Sequence, residues 1–257
     1  MNRKSPEWFA LTNQATRQVM ARIADATSGS AMALQVRQAP TLAHWFMLDS
    51  LLLANNANRE GMHANALSLT RQCLESLTVV ELGICGHRDA ESVLLKWEAD
   101  QLAPGKLRAW LENHVWPRYG NGLWGEPWRT FMREFSGALQ PYAHYSSRLA
   151  QWQMRLLRGA VGDDKSSGDV TAIIEMRPRG YDPQKATRIT LFHALLTYVL
   201  GRIWLAREHA SDPAFSELIG RFGAALGKSK YLDGHATDWG QQFWAVLWDS
   251  DGGTVLE

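Results

Sequence analysis

The chain has 257 residues, with 27 Lys and Arg against 26 Asp and Glu for a formal charge of +1, 46% hydrophobic residues and a mean hydropathy of −0.27. These values describe a soluble globular chain with enough apolar material for a large core, and the near-neutral balance removes a strongly basic face as an argument for nucleic-acid binding. No run approaches the ~20 apolar residues of a membrane span, because the greasiest stretch, LFHALLTYVLGRIWLA, is broken by His193 and Arg202.

From the N-terminus, the chain reaches Thr12, Asn13 and Gln14 before any apolar run of signal length, which predicts a cytoplasmic protein. Nearly every segment then repeats its apolar residues with a period near 3.6. Segment 6–26 predicts a first helix, Pro40 leads into a second over 41–56, and 60–84 predicts a third with Ala64, Leu67, Thr70, Leu74, Leu77 and Glu81 on one stripe. Cys73 and Cys85 lie 12 apart without a C-x-x-C partner and read as small buried hydrophobes. Shorter helices are predicted at about 89–101, 104–116 and 126–138, with Pro104 and Pro127 at their first turns, and a longer one from Pro141 to about 158.

The segment GAVGDDKSSGD over 159–169 predicts a flexible loop within a single domain, dividing a core from a C-terminal helical part. The β-branched residues of VTAIIEMRP predict a short extended element near 170–177. Asp182 as N-cap and Pro183 in the first turn start a helix running to about Glu208, with Ile189, Phe192, Leu196, Val199, Ile203 and Ala206 turned inward. Pro213 starts another that ends at 223–227, and a last one holds Trp239, Phe243, Trp244 and Trp248. The expected fold is therefore all-α, an irregular bundle of about eight or nine helices.

Two motif matches fail on context. Gly120-Asn-Gly-Leu-Trp-Gly125 fits G-x-G-x-x-G, but no buried strand precedes it and no acidic residue follows at the ribose distance, so its glycines read as turn formers before the Pro127 helix. Gly223 to Ser229 misses the phosphate loop by one residue and reads as a helix C-cap. No pair of histidines has metal spacing, so no metal or other cofactor is expected.

Three polar constellations remain. Arg71 and Glu75, one turn apart, are either a simple surface pair or a half-buried pair that needs a partner or ligand. In Pro141-Tyr142-Ala-His144-Tyr-Ser146-Ser147 a histidine sits among phenols and hydroxyls, giving either an acid/base centre or an inter-helix packing contact. Arg202 and His209 are 700° apart along one helix and nearly eclipse, whereas Arg188 and His193 are about 140° apart, so only the first pair can easily address one ligand from one helix; the alternative is a solvated helix end whose histidine suits the C-terminal dipole. Six of the 12 tryptophans fall between Trp97 and Trp152, and Trp124 and Trp128 lie between the first two constellations. They either fill the core or wall a pocket joining the two.

The runs ALSLTRQCLESLTVVELGI, LLKWEADQLAPGKLRAWLENHVWPRYGNGLWGEPW and FSGALQPYAHYSS, together about 60–150, resemble a bacterial branch of the HEPN superfamily, helical domains named for higher eukaryotes and prokaryotes nucleotide-binding proteins. The carriers of the likeness are an R-x-x-x-E, here Arg71 and Glu75, and a Tyr/His/Ser cluster, here Tyr142, His144 and Ser146. Catalytic members of that superfamily are metal-independent ribonucleases with an R-x(4–6)-H motif at a dimer interface. Arg188 to His193 matches its short form and Arg202 to His209 its long form, each with Ile after the arginine where a polar residue is usual. The resemblance implies a homodimeric ribonuclease of toxin or anti-phage type that acts on RNA through Arg202 and His209, or through His144 with Arg71. The alternative is a non-catalytic module whose Trp-rich region binds a partner protein or a small ligand.

Overall fold

The computed structural model describes residues 6–29, 32–160, 171–176, 178–207 and 211–229. The predicted helix around Trp239 to Trp248, His209 and most of the predicted loop at 159–169 lie outside those residues. Nine α-helices run through the described part: α1 Glu7–Ser28, α2 Leu34–Arg59, α3 His63–Ile84, α4 Ala90–Glu98, α5 Pro104–His114, α6 Trp128–Leu139, α7 Ser147–Gln151, α8 Pro183–Leu205 and α9 Pro213–Gly227. The all-α reading holds, and α3 lies at its centre: sixteen of its 22 residues are buried, including the whole predicted stripe from Ala64 to Glu81.

Helix α8 packs on α1 and α3, and α9 on α1 and α8. Its predicted stripe is buried from Ile189 through Ile203, with Ala206 only partly covered. The start of α8 forms as read: the Asp182 carboxylate accepts from the Gln184 and Lys185 N–H groups, and Pro183 occupies the first turn. Cys73 and Cys85 are buried thiols. Gly120 and Gly125 take φ of +70° and +86°, and the Gly120 carbonyl and Gly122 N–H close a tight connection onto Trp128 and Glu126, the turn-forming role expected of this glycine run.

Two predicted boundaries are corrected. Helix α2 starts at Leu34 and carries Pro40 inside it, instead of starting after the proline. The chain accommodates the ring because α3 presents Gly83 to it: a Cβ there would lie 2.1 Å from Pro40 Cγ. Gly83→Ala should therefore cost about 2 kcal/mol or more despite alanine's better helix propensity, since a proline ring cannot swing aside. Urea unfolding reads this, and a stabilised variant would contradict the close approach.

The predicted helix from Pro141 to about 158 does not form. A 3-10 turn at Gln140–Tyr142 and the short α7, capped by the Ser146 hydroxyl accepting from Leu149 N–H, lead instead into strand β1, Met154–Ala160. It pairs antiparallel with β2, Thr171–Met176, in the register Met154↔Met176 to Leu157↔Ile173, with an irregularity before Ala160↔Thr171. The extended element expected near 170–177 is thus real, and its partner strand takes residues that periodicity assigned to a helix. Buried Lys185 fixes the approach to this hairpin by donating to the Gln151, Trp152 and Met154 carbonyls.

Candidate functional site

Arg71 is a buried charge. Its position on α3 puts it among the core residues, 6% exposed, with Nη2 3.0 Å from Glu75 Oε1 and donating over 3.2 Å to Gln140 Oε1. Its Nε and Nη1 are buried without an acceptor. Burial works against its charge, Glu75 supports it, and the positive Arg108 works against it again. Among the described residues, the one carboxylate paired with Arg71 is Glu75, itself half exposed.

Arg108 belongs to an open cleft of about 380 Å3 between α5 and α6. Its walls come from Arg108 and Glu112 one turn apart on α5, Arg133 and Ser136 on α6, Gln140 just beyond α6, and Trp116 in the 3-10 turn after α5. Arg108 donates to the Ser136 hydroxyl, and Arg133 to the Glu112 carboxylate, which Arg129 also approaches at 3.9 Å. Because a guanidinium can only donate, the Gln140 atom facing Arg71 must be its oxygen, which turns the amide hydrogens away from Arg71. The lining of the cleft carries two guanidiniums, Arg108 and Arg133, against one carboxylate, Glu112, and Arg71 lies behind it, bonded to Gln140. A donor-rich pocket with excess positive charge suits an oxyanion.

The other expected site residues are distributed more widely. His144 is exposed and makes no hydrogen bond to another described residue, Arg71 and Glu75 included. Tyr142 is fully buried and accepts from the Trp152 indole N–H at 3.2 Å. Ser146 is the N-cap of α7 and donates to the Pro141 carbonyl. Arg202 spans three acceptors, the Tyr119 carbonyl, the Asn121 carbonyl at 3.0 Å and the Tyr198 hydroxyl at 2.8 Å, and its guanidinium lies 4.9 Å from the centre of the Trp128 ring. Trp128 is buried below it, while Trp124 donates its indole N–H to the Gly227 carbonyl at the end of α9. The tryptophans thus mainly fill the core, and Trp116 alone of those between Trp97 and Trp152 lines the cleft.

Trp116 also leads to a buried acid. Its indole N–H donates to Glu81 Oε1 at 3.0 Å, and Glu81 is 1% exposed. Burial pushes the Glu81 carboxyl up to about 7 against the favourable indole bond. Sequence reasoning missed Arg108, Gln140 and Arg133. The signal was present in Arg108/Glu112 and Arg129/Arg133, two pairs at helical spacing on neighbouring helices. Among the described residues no three His, Cys, Asp or Glu side chains gather at metal-holding distance, and no helix is long and apolar enough to cross a membrane. Comparisons with protein-family models, curated proteins and solved structures find no significant match to this chain.

Proposed function

We propose that the protein is a helical binding module whose α5–α6 cleft holds an oxyanion, a phosphate or carboxylate group of its ligand. The observation that carries this reading is the Arg71 guanidinium, buried beside Arg108 with two nitrogens unpartnered and one half-exposed carboxylate for company. A buried charge in that state is costly, and a bound anion over Arg108 and Gln140 offsets the repulsion. Added inorganic phosphate should raise the thermal midpoint of the parent protein at low salt and leave that of Arg108→Gln unmoved. No shift in the parent would end this reading.

The ribonuclease implied by the HEPN resemblance would place an RNA phosphate in the same cleft, with exposed His144 as proton carrier. Incubation with total RNA in EDTA separates the two. Cleavage lost in His144→Ala supports the enzyme, and intact RNA beside a phosphate-dependent stability gain supports the binding module. The resemblance puts its homodimer interface at the R-x(4–6)-H motif; the exposed apolar surface of this chain favours instead a homodimer through the outer face of α2, where Leu42, Trp45, Phe46, Leu52 and Leu53 are each about half exposed. Sedimentation of the parent against Trp45→Glu reads it, and a parent that sediments as a monomer removes the dimer.

A further inference from the structure

A second cavity, sharing no residue with the α5–α6 cleft, runs between the start of α1, the end of α2 and the first turns of α8, with a volume of about 770 Å3. Its chemistry follows from where the hydroxyl protons go. Thr12 donates to the Trp8 carbonyl at 2.7 Å, Thr187 to Pro183 at 2.7 Å and Thr190 to Ala186 at 2.9 Å. Each of these three threonines thereby spends its single proton on its own helix and retains lone pairs, while Thr16 and Thr197, which also line the cavity, share a hydrogen bond of 3.2 Å between their hydroxyls.

The same bookkeeping fixes the tautomer of His193, which lines this groove. Thr70 donates its proton to the Ala66 carbonyl at 2.7 Å, so in its 2.8 Å contact with His193 Nε2 the threonine can only accept. The proton is on Nε2, and Nδ1 is a bare acceptor that no described residue bonds. Phe9, Leu51 and Leu52 supply apolar surface, no carboxylate lines the groove, and Arg59 is its one charged residue apart from neutral His193. A cation would meet Arg59 with no counter-charge, and an anion, although exposed Arg59 at the end of α2 would attract it, would meet lone pairs beside His193 Nδ1 and Thr190.

We infer that this groove binds a neutral small molecule that carries an N–H donor and directs it at His193 Nδ1. The inference is independent of the anion cleft and survives its failure. Indole and benzofuran, which share a shape and differ in the N–H, are the probes. Calorimetric titration should give saturable indole binding, with benzofuran at least about tenfold weaker. In His193→Phe and, separately, Thr190→Val the two probes should be titrated again. His193→Phe is expected to erase the preference for indole while leaving benzofuran unchanged, and Thr190→Val to keep the preference with a weaker overall affinity. The imidazole nitrogen resonances of labelled parent protein should show Nε2 protonated, with the Nδ1 signal moving as indole is added. Equal affinity for the two probes, no saturation by either, a preference that persists in a folded His193→Phe, or a proton on Nδ1 would each overturn it.

Discussion

Acidification from pH 7 to pH 4.5 should cost the parent protein about 2 kcal/mol of unfolding free energy and a Glu81→Gln variant about 5 kcal/mol. At pH 8 the same variant should be the more stable of the two by about 3 kcal/mol. His63 and His193 supply these magnitudes, and buried His44, which burial also holds below its ordinary value, adds to the loss in both proteins. His63 accepts the Asp182 N–H on Nε2 at 3.0 Å, so its own proton is on Nδ1, donated over 2.9 Å to Asn58 Oδ1, while Asn58 donates to the Ala186 carbonyl. This chain ties the end of α2 and the start of α3 to the start of α8, and protonating Nε2 destroys its acceptor. Burial, helped by the Lys185 charge, pushes His63 down to about 4, and burial alone does the same to His193.

Each histidine stays neutral in the folded state while its unfolded counterpart takes up a proton below about 6.5, so stability is full above that value and falls towards 4. Glu81 works in the opposite direction. Its folded carboxyl holds a proton up to about 7 while the unfolded one releases it near 4.5, so its contribution is lost as pH rises through that window. Glutamine keeps the oxygen that accepts from Trp116 and removes the titration. Urea unfolding at pH 4.5, 7 and 8 measures all three differences. Parent and variant with the same pH dependence would show that Glu81 is not a buried neutral acid.

Arg202→Ala should destabilise the protein by about 3 kcal/mol or more, and Arg202→Lys should recover only part of that. The guanidinium holds the carbonyls of Tyr119 and Asn121, the Tyr198 hydroxyl and the face of Trp128 at once. Hydrogen bonds to a charged donor contribute about 1.5–3 kcal/mol each when the acceptors would otherwise lose their partner, and the ring contact adds about 1. A lysine ammonium lacks the planar fork that reaches all of these groups. A loss below about 1 kcal/mol in denaturant unfolding would mean that Arg202 is free to serve a ligand, one of the two roles its spacing with His209 allows.

The helices were legible because their apolar spacing and their caps are local. Ala64 to Glu81 and Ile189 to Ile203 announce one buried face each, and Asp182-Pro183 announces a start. The β1 strand was not legible, because Met154-Arg-Leu-Leu-Arg158 suits a helix equally well and only pairing with residues 171–176 decides. The outer face of α2 was missed for the converse reason: Leu42, Trp45, Phe46, Leu52 and Leu53 make the helix apolar on both sides, and a pattern does not say which side is inward. Of the candidate site, the Arg71/Glu75 pair could be read at i,i+4, but not the depth of Arg71 or the approach of Arg108, which depend on how α3, α5 and α6 meet. The same spacing that marked Arg202 as a ligand contact is used by the fold to hold the 119–121 turn.

The anion cleft is tested most directly by calorimetric titration of pyrophosphate at low salt into the parent protein and into Arg71→Met. Methionine removes the buried charge at similar length, so the unliganded variant should be as stable as the parent or more so. The expected result is one saturable site in the parent, weakened at least about tenfold in the variant. Equal binding by both proteins, or a variant that loses stability without any ligand site in the parent, would contradict an oxyanion site built on Arg71.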